Sequence, residues 1–286
     1  MFKTPSTPDF HKLDLRIVPL GKLIPHEMYD IHRATPLLDR LCDDGILKNP
    51  PVVAPMGPPD DHFVILDGTN RVIALDILSA PHMLVQVVDY ESTQVELQTW
   101  YHAVSGLSVQ EFERRIRSLP GLEIGVTDDI VHARAELARR AILVYYVLPD
   151  GEVVTLAGGG LDIKERTRLL NRIVDTYIQE CHLNRTNTDE IDELLKRYPR
   201  MTATVVFPHY EPVEILDLAR SGLRVPAGIT RHVIHGRALR LNYPLKKLYS
   251  NEPLEQKNRE LAEWVQAQFS KKQVRYYAEA TYLFDE

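Results

Sequence analysis

The sequence predicts an α/β (α+β) fold in two parts. A small N-terminal domain over residues 1–95 is expected to pack on a larger, mixed α/β C-terminal domain over residues 96–286. Three observations carry this prediction. Short apolar runs alternate with helix-like segments through the first ninety residues. Pro149-Asp150-Gly151 joins two runs of strand composition, and residues 162–180 set apolar side chains at helical spacing. The length, 286 residues, suits two domains at roughly 100–200 residues each.

Residues up to Pro8 read as a loose tail. Leu13–Pro19 alternates apolar and polar side chains, as a half-buried strand does, and a short extended piece follows at Leu23–His26. Thr35–Asp44 combines a Thr cap, a proline at the first helical position and helical spacing, with Gly45 as its stop. Asn49–Ala54 and His62–Leu66 read as strands around a Pro- and Asp-rich turn. Arg71–Leu78 reads as a helix and Met83–Asp89 as a strand. Ser92–Val104 is expected to be helical, because Thr93 and Glu96 have capping-box spacing. Further helices are expected at 108–118, 162–180, 188–195, 211–221 and 258–269. The segments 141–148 and 152–156 should form a hairpin, and 203–207 another strand.

Composition narrows the class. Hydrophobic residues make up 44% and charged residues 26% of the chain, which excludes collagen-like, mucin-like and disordered polymers. No apolar run approaches the roughly 20 residues that a bilayer span needs, and the start lacks the apolar core of a signal peptide. Cys42 and Cys181 cannot build a disulfide framework, so a reduced, cytoplasmic protein is expected. The net charge is −6, but it is unevenly spread. Residues 220–247 contain seven basic and no acidic side chains, leaving 27 basic against 40 acidic residues elsewhere. An acidic body with one basic segment implies a localised anion site and argues against a broad grip on nucleic acid.

Chemistry concentrates at Leu66-Asp67-Gly68-Thr69-Asn70-Arg71. A buried strand, a glycine, small polar residues and a helix start aim backbone N–H groups and a positive helix end at one place, as phosphate binding requires. Gly68 permits close approach and Arg71 adds a bidentate donor. Asp67 is odd in a pure phosphate cradle and suits a metal ion or a substrate hydroxyl. The same pattern also suits a plain capped turn. Glu27, in Pro25-His26-Glu27, and the Thr230-Arg231-His232 triplet are two further clusters of reactive groups, and each also suits a solvated loop. His232 and His235 lack a nearby carboxylate in sequence, so the metal ligands stay unassigned.

The pattern Leu23-Ile24-Pro25-His26-Glu27, Lys48-Asn49-Pro50 and Asp67-Gly68-Thr69-Asn70-Arg71-Val72-Ile73-Ala74-Leu75 resembles the ParB/sulfiredoxin-like fold. Within it the likeness is to the free serine kinases and their siderophore-cluster relatives. Trp100-Tyr101-His102, the segment Arg224 to Ile234, Arg237 and Asn242-Tyr243-Pro244-Leu245 extend the likeness over roughly residues 13–250. It implies phosphorylation of free L-serine to O-phospho-L-serine with ATP or ADP and Mg²⁺. Glu27 would be the general base, and Asp67 would assist catalysis or metal placement. Lys48, Asn49, Gly68, Thr69, Asn70 and Arg71 would bind the nucleotide. Trp100, His102, Thr230, Arg231 and His232 would line the serine site, with Arg231 facing the serine carboxylate. Thr69 and Asn70 stand where the family usually has histidines; both donate hydrogen bonds, but neither can carry a proton's charge. Their lack of a cysteine also excludes sulfiredoxin chemistry. The competing expectation is a ParB-like DNA-binding or ligand-sensing regulator, against which the mixed charges of residues 108–140 weigh. All this requires that Glu27, from near the start of the chain, meet the Arg231–His232 pair from its last quarter across a glycine-mouthed pocket.

Overall fold

The computed structural model describes residues 13–28, 31–158, 160 and 162–276, the side chains of 31–35 excepted. The tail expected up to Pro8 lies outside the described residues. Contacts group the chain into two units, one of Met1–Pro25, Tyr29–Glu96 and Val233–Glu286, the other of His26–Met28 and Leu97–His232. One boundary falls beside residue 95. The C-terminal segment from Val233 groups with the N-terminal strands, and three residues around Glu27 group with the other unit.

The first unit is built on a mixed five-stranded sheet. β1 (Asp14–Pro19) lies at one edge and β2 (Leu23–Pro25) at the other; β3 (Ile46–Leu47) stands apart from this sheet. Between the edges run β6 (His82–Val87), β4 (Val52–Pro55) and β5 (Phe63–Asp67), in the order β1-β6-β4-β5-β2. Ile17, Val53, Ile65, Met83 and Val85 are essentially buried, as apolar strands covered on their faces must be. α1 (Ile31–Asp44) begins before Thr35, with Pro36 inside its early turns. α2 (Thr69–Ile77) opens two residues earlier than its sequence pattern suggests, with Gly68 as its cap.

The late chain completes this unit. β15 (Tyr243–Pro244) pairs with β3, followed by α8 (Lys246–Tyr249) and α9 (Leu254–Ser270). Asn258 of α9 binds the Ile17 backbone on both sides, accepting from its N–H and donating to its carbonyl, each at 2.8 Å. Tyr243 meets Trp264 edge to face.

The second unit carries an antiparallel six-stranded sheet. Its strands are β8 (Tyr101–Ser105), β9 (Leu122–Thr127), β10 (Val144–Val147), β11 (Val153–Gly158), β12 (His182–Thr186) and β13 (Met201–Val206), in the order β12-β8-β13-β10-β11-β9. Its helices are α3 (Val109–Arg117), α4 (Ile130–Ala138), α5 (Ile163–Asp175), α6 (Ile191–Arg197) and α7 (Pro212–Arg220). Asp189 is buried where Arg134 grips it through two nitrogens and the Tyr145 hydroxyl donates to it, so its charge is both neutralised and hydrogen-bonded. β7 (Val95–Thr99) and β14 (Thr230–Ile234) form a separate two-stranded ladder, and the division between the units falls within both strands.

One expected helix is strand. Residues 92–104 form β7 and β8, because Val95, Leu97, Tyr101 and Val104 favour a pleated surface and β8 is buried on both faces between β12 and β13. The expected helix over 162–180 closes at Asp175, where the Thr176 hydroxyl turns back to the Ile173 carbonyl. The hairpin around Pro149-Asp150-Gly151 forms as expected. Among the described residues, no helix is long and apolar enough to cross a membrane.

Candidate active site

Two carboxylates anchor two distinct clusters. Glu27 belongs to the second unit because the backbone on both sides of it is tied to Val225: the Val225 N–H donates to His26 O and the Met28 N–H to Val225 O, each at 2.9 Å. Its Oε2 accepts from the Thr230 hydroxyl at 3.0 Å and from the Gly228 amide at 3.2 Å. Oε1 has no protein partner among the described residues. The buried His26 lies 2.8 Å from Thr230 Oγ1 through its Nε2. Because that hydroxyl donates to Glu27, it can accept the proton of His26 Nε2. The His26 and His232 rings meet edge to face at 5.1 Å.

Glu27 meets the segment from the last quarter of the chain through Thr230; of the expected arginine–histidine pair, His232 lies on that side against His26 and strand geometry turns Arg231 away. Successive side chains of β14 point to opposite faces, so Thr230 and His232 share one and Arg231 takes the other. There the Arg231 guanidinium lies over the Trp100 ring, 4.4 Å from its centre. His102 is set behind the cluster, 1% exposed and beside Phe207, with Nδ1 3.0 Å from the Tyr177 hydroxyl. Burial drives its pKa down to about 3, so its imidazole is neutral at physiological pH.

Asp67 anchors the other cluster, within the first unit. Arg71 donates to its Oδ2 at 2.7 Å, and Arg237 donates to the same oxygen. Burial pushes the Asp67 carboxyl upward, but Arg237 and Arg71 together outweigh it and hold it below its ordinary value. Two guanidinium groups on one carboxylate leave excess positive charge. The Nε atoms of both arginines are buried without a hydrogen-bond partner. Gly68 is required: its φ is +95°, and a Cβ there would meet Arg71 Nη2 at 2.6 Å and Pro51 Cα at 3.0 Å. The first turn bonds of α2 run from Arg71 and Val72 to the Gly68 carbonyl, leaving the Thr69 and Asn70 amides ahead of the intrahelical ladder. Thr69 is buried and Asn70 half-buried.

Arg237 is held from both sides by Gln86, whose side chain donates to Gly236 O at 3.0 Å and accepts from the Ala238 N–H at 2.8 Å. Asn49 and Lys48 anchor the next stretch. Asn49 Oδ1 accepts from the Arg240 N–H and the Lys48 carbonyl from the Leu241 N–H, while the exposed Lys48 ammonium pairs with Asp44. The basic segment expected to form one anion site is divided: residues up to His232 lie in the second unit and those from Val233 in the first.

His26, Gln86 and Arg237 have clear positions that residue-type reasoning did not single out as site residues. His26 adjoins Glu27 in the chain, so that signal was available. Nothing local distinguishes Gln86. Asp60, Asp61 and His62 lie within metal-ligand reach of one another, but Lys22 pairs with Asp61 and His62 with Asp60.

No family model matches the chain. The ATP-dependent L-serine kinase SbnI of Staphylococcus aureus is 25% identical over 95% of this chain and 97% of its own length. The ADP-dependent L-serine kinase SerK of Thermococcus kodakarensis is 24% identical over 83% of this chain and 94% of its own. A solved free serine kinase in complex with AMP superposes with a TM-score of 0.67 and 22% identity, covering 87% of this chain and 97% of that one. Over most of its length this chain is similar in sequence to L-serine kinases, and it shares the fold of a solved free serine kinase.

Proposed function

We propose that the chain phosphorylates free L-serine to O-phospho-L-serine, with ATP or ADP as donor and Mg²⁺ as the accompanying ion. The observation that carries this reading is Glu27, with Oε2 held by two neutral donors and Oε1 left without a partner among the described residues. A carboxylate oriented in this way accepts the proton of the serine hydroxyl as that oxygen attacks the terminal phosphoryl group. The new O–P bond forms as the bond to the nucleotide breaks, and the electron pair leaves on the nucleotide oxygen. The Asp67 cluster suits the donor's phosphates: it carries surplus positive charge, two buried Nε–H donors and a helix N-terminus.

Both arginines contact Asp67 Oδ2, so Oδ1 can serve as one ligand of a Mg²⁺ ion. This fits a metal that takes one or two carboxylates and keeps water and phosphate oxygens for the rest. Bound there, the ion would neutralise charge on the phosphates. Held below its ordinary pKa by two cations, Asp67 is a poor base, which leaves proton removal to Glu27. Trp100, stacked with Arg231, and His232 complete the surroundings proposed for serine. The two cysteines are free, in keeping with a reducing cytoplasm.

The test is incubation of the full chain with L-serine, Mg²⁺ and either ATP or ADP, followed by phosphorus NMR. O-phosphoserine should accumulate with at least one donor. Absence of product with both, together with salt-sensitive binding to duplex DNA, would overturn the assignment in favour of a regulator.

A further inference from the structure

The turn Pro226-Ala227-Gly228 supplies one of the two donors to Glu27, and it rests on the side chains of Arg185 and His102. Strand pairing sets Arg185 of β12 directly opposite His102 of β8, so both side chains leave the same face of the sheet. Gly228 sits against the first of them: a Cβ at this residue would fall 2.9 Å from both Nε and Nη2 of Arg185, and its φ is +76°. The His102 imidazole faces the backbone of Gly228 and Ala227. Its Nδ1 is taken by the Tyr177 hydroxyl, leaving Nε2 for that backbone. Tyr177 is itself 1% exposed, and burial holds its hydroxyl protonated, so that it can donate to Nδ1.

We infer that Tyr177, His102 and Arg185 are positioning residues: Tyr177 selects the Nε2–H tautomer of His102, and His102 and Arg185 together seat the 226–228 turn so that the Gly228 amide and Thr230 hydroxyl hold Glu27 Oε2. His102 then acts through the turn, not by lining the serine site. The kinetic part of this inference rests on Glu27 being the base; the structural part does not.

The experiment separates the two. In the full chain, ¹⁵N spectra should show His102 neutral and protonated on Nε2, with a slowly exchanging Gly228 amide. Tyr177→Phe should lose the single-tautomer signature and speed Gly228 exchange at least about tenfold. His102→Gln, which can still donate to a carbonyl, should keep the amide protected, whereas His102→Leu should not. In serine kinase assays, Tyr177→Phe and His102→Leu should lower kcat severalfold with little change in the nucleotide KM, and His102→Gln should restore most of it.

An Nδ1–H tautomer in the unmodified protein, or unaltered Gly228 exchange in both Tyr177→Phe and His102→Leu, would overturn the inference whatever the activity. Altered exchange with kcat unchanged would overturn its catalytic part. Absence of kinase activity in the unmodified chain would sink the functional reading and leave the spectroscopic test standing.

Discussion

Glu27 and Asp67 are both half-buried carboxylates beside a glycine, yet their neighbours differ in kind. Glu27 is held by a hydroxyl and an amide, and Asp67 by two guanidinium groups. Neutral donors orient a carboxylate without supplying a counter-ion, so one oxygen stays competent to take a proton. Two cations favour the ionised form over the opposing effect of burial, so the carboxylate serves as a charge that aims them. Residue type alone would give the two acids the same duties; their partners suit one to the proposed role of base and the other to that of a fixed charge.

The largest expected effect removes the proposed base. Glu27→Gln should lower kcat by at least the ~10²-fold typical of a lost general base while leaving nucleotide affinity, measured by calorimetry, within about twofold. Retained turnover would move proton removal elsewhere and erase the contrast with Asp67. Next comes the fixed-charge side. Arg237→Ala removes a charge-assisted donor worth about 1.5–3 kcal/mol, so the nucleotide KM should rise roughly ten- to a hundredfold with the serine KM little changed. An unchanged nucleotide KM would take Arg237 out of phosphate binding.

Thr230→Val deletes one neutral donor to Glu27 at nearly constant shape. It should cost roughly three- to tenfold in kcat, and Thr230→Ser should recover it. If Ser fails to do so, the threonine methyl matters more than its hydroxyl.

Acid should also tell the two carboxylates apart. The folded-state pKa of Asp67 lies below its ordinary value near 3.8, so its ion pairs stabilise the fold fully above that value and are lost as pH falls from there through the lower folded-state value. Thermal unfolding from pH 6 down to pH 3 should show a smaller acid-dependent loss in Arg237→Ala than in the unmodified chain. Equal losses would mean that Arg237 contributes little to the lowering.

Smallest is Arg231→Ala. The stacking of its guanidinium on Trp100 is worth about 0.5–1 kcal/mol where exposed, so a serine KM within roughly fivefold of the original is expected. A much larger rise would show that Arg231 reaches the serine carboxylate, as its place in the sequence suggests.

Patterns complete within a few residues were legible in the sequence: the 13–19 and 62–66 strands, the hairpin at Pro149-Asp150-Gly151 and the body of α2, though not its first two residues. It also marked Glu27, Asp67 and the Thr230–His232 triplet, because carboxylates, glycines and basic residues in short patterns carry local chemistry. It misread 92–104, where a capping-box spacing competed with burial between two strands that arrive some eighty or more residues later. Only tertiary structure decided that Val233 onward joins the N-terminal strands, that Gln86 holds Arg237 on Asp67 and that Tyr177 and Arg185 stand around His102. Each of these depends on contacts between residues distant in the chain, and a side chain's neighbours across such distances are set by sheet order and register, which no local pattern encodes.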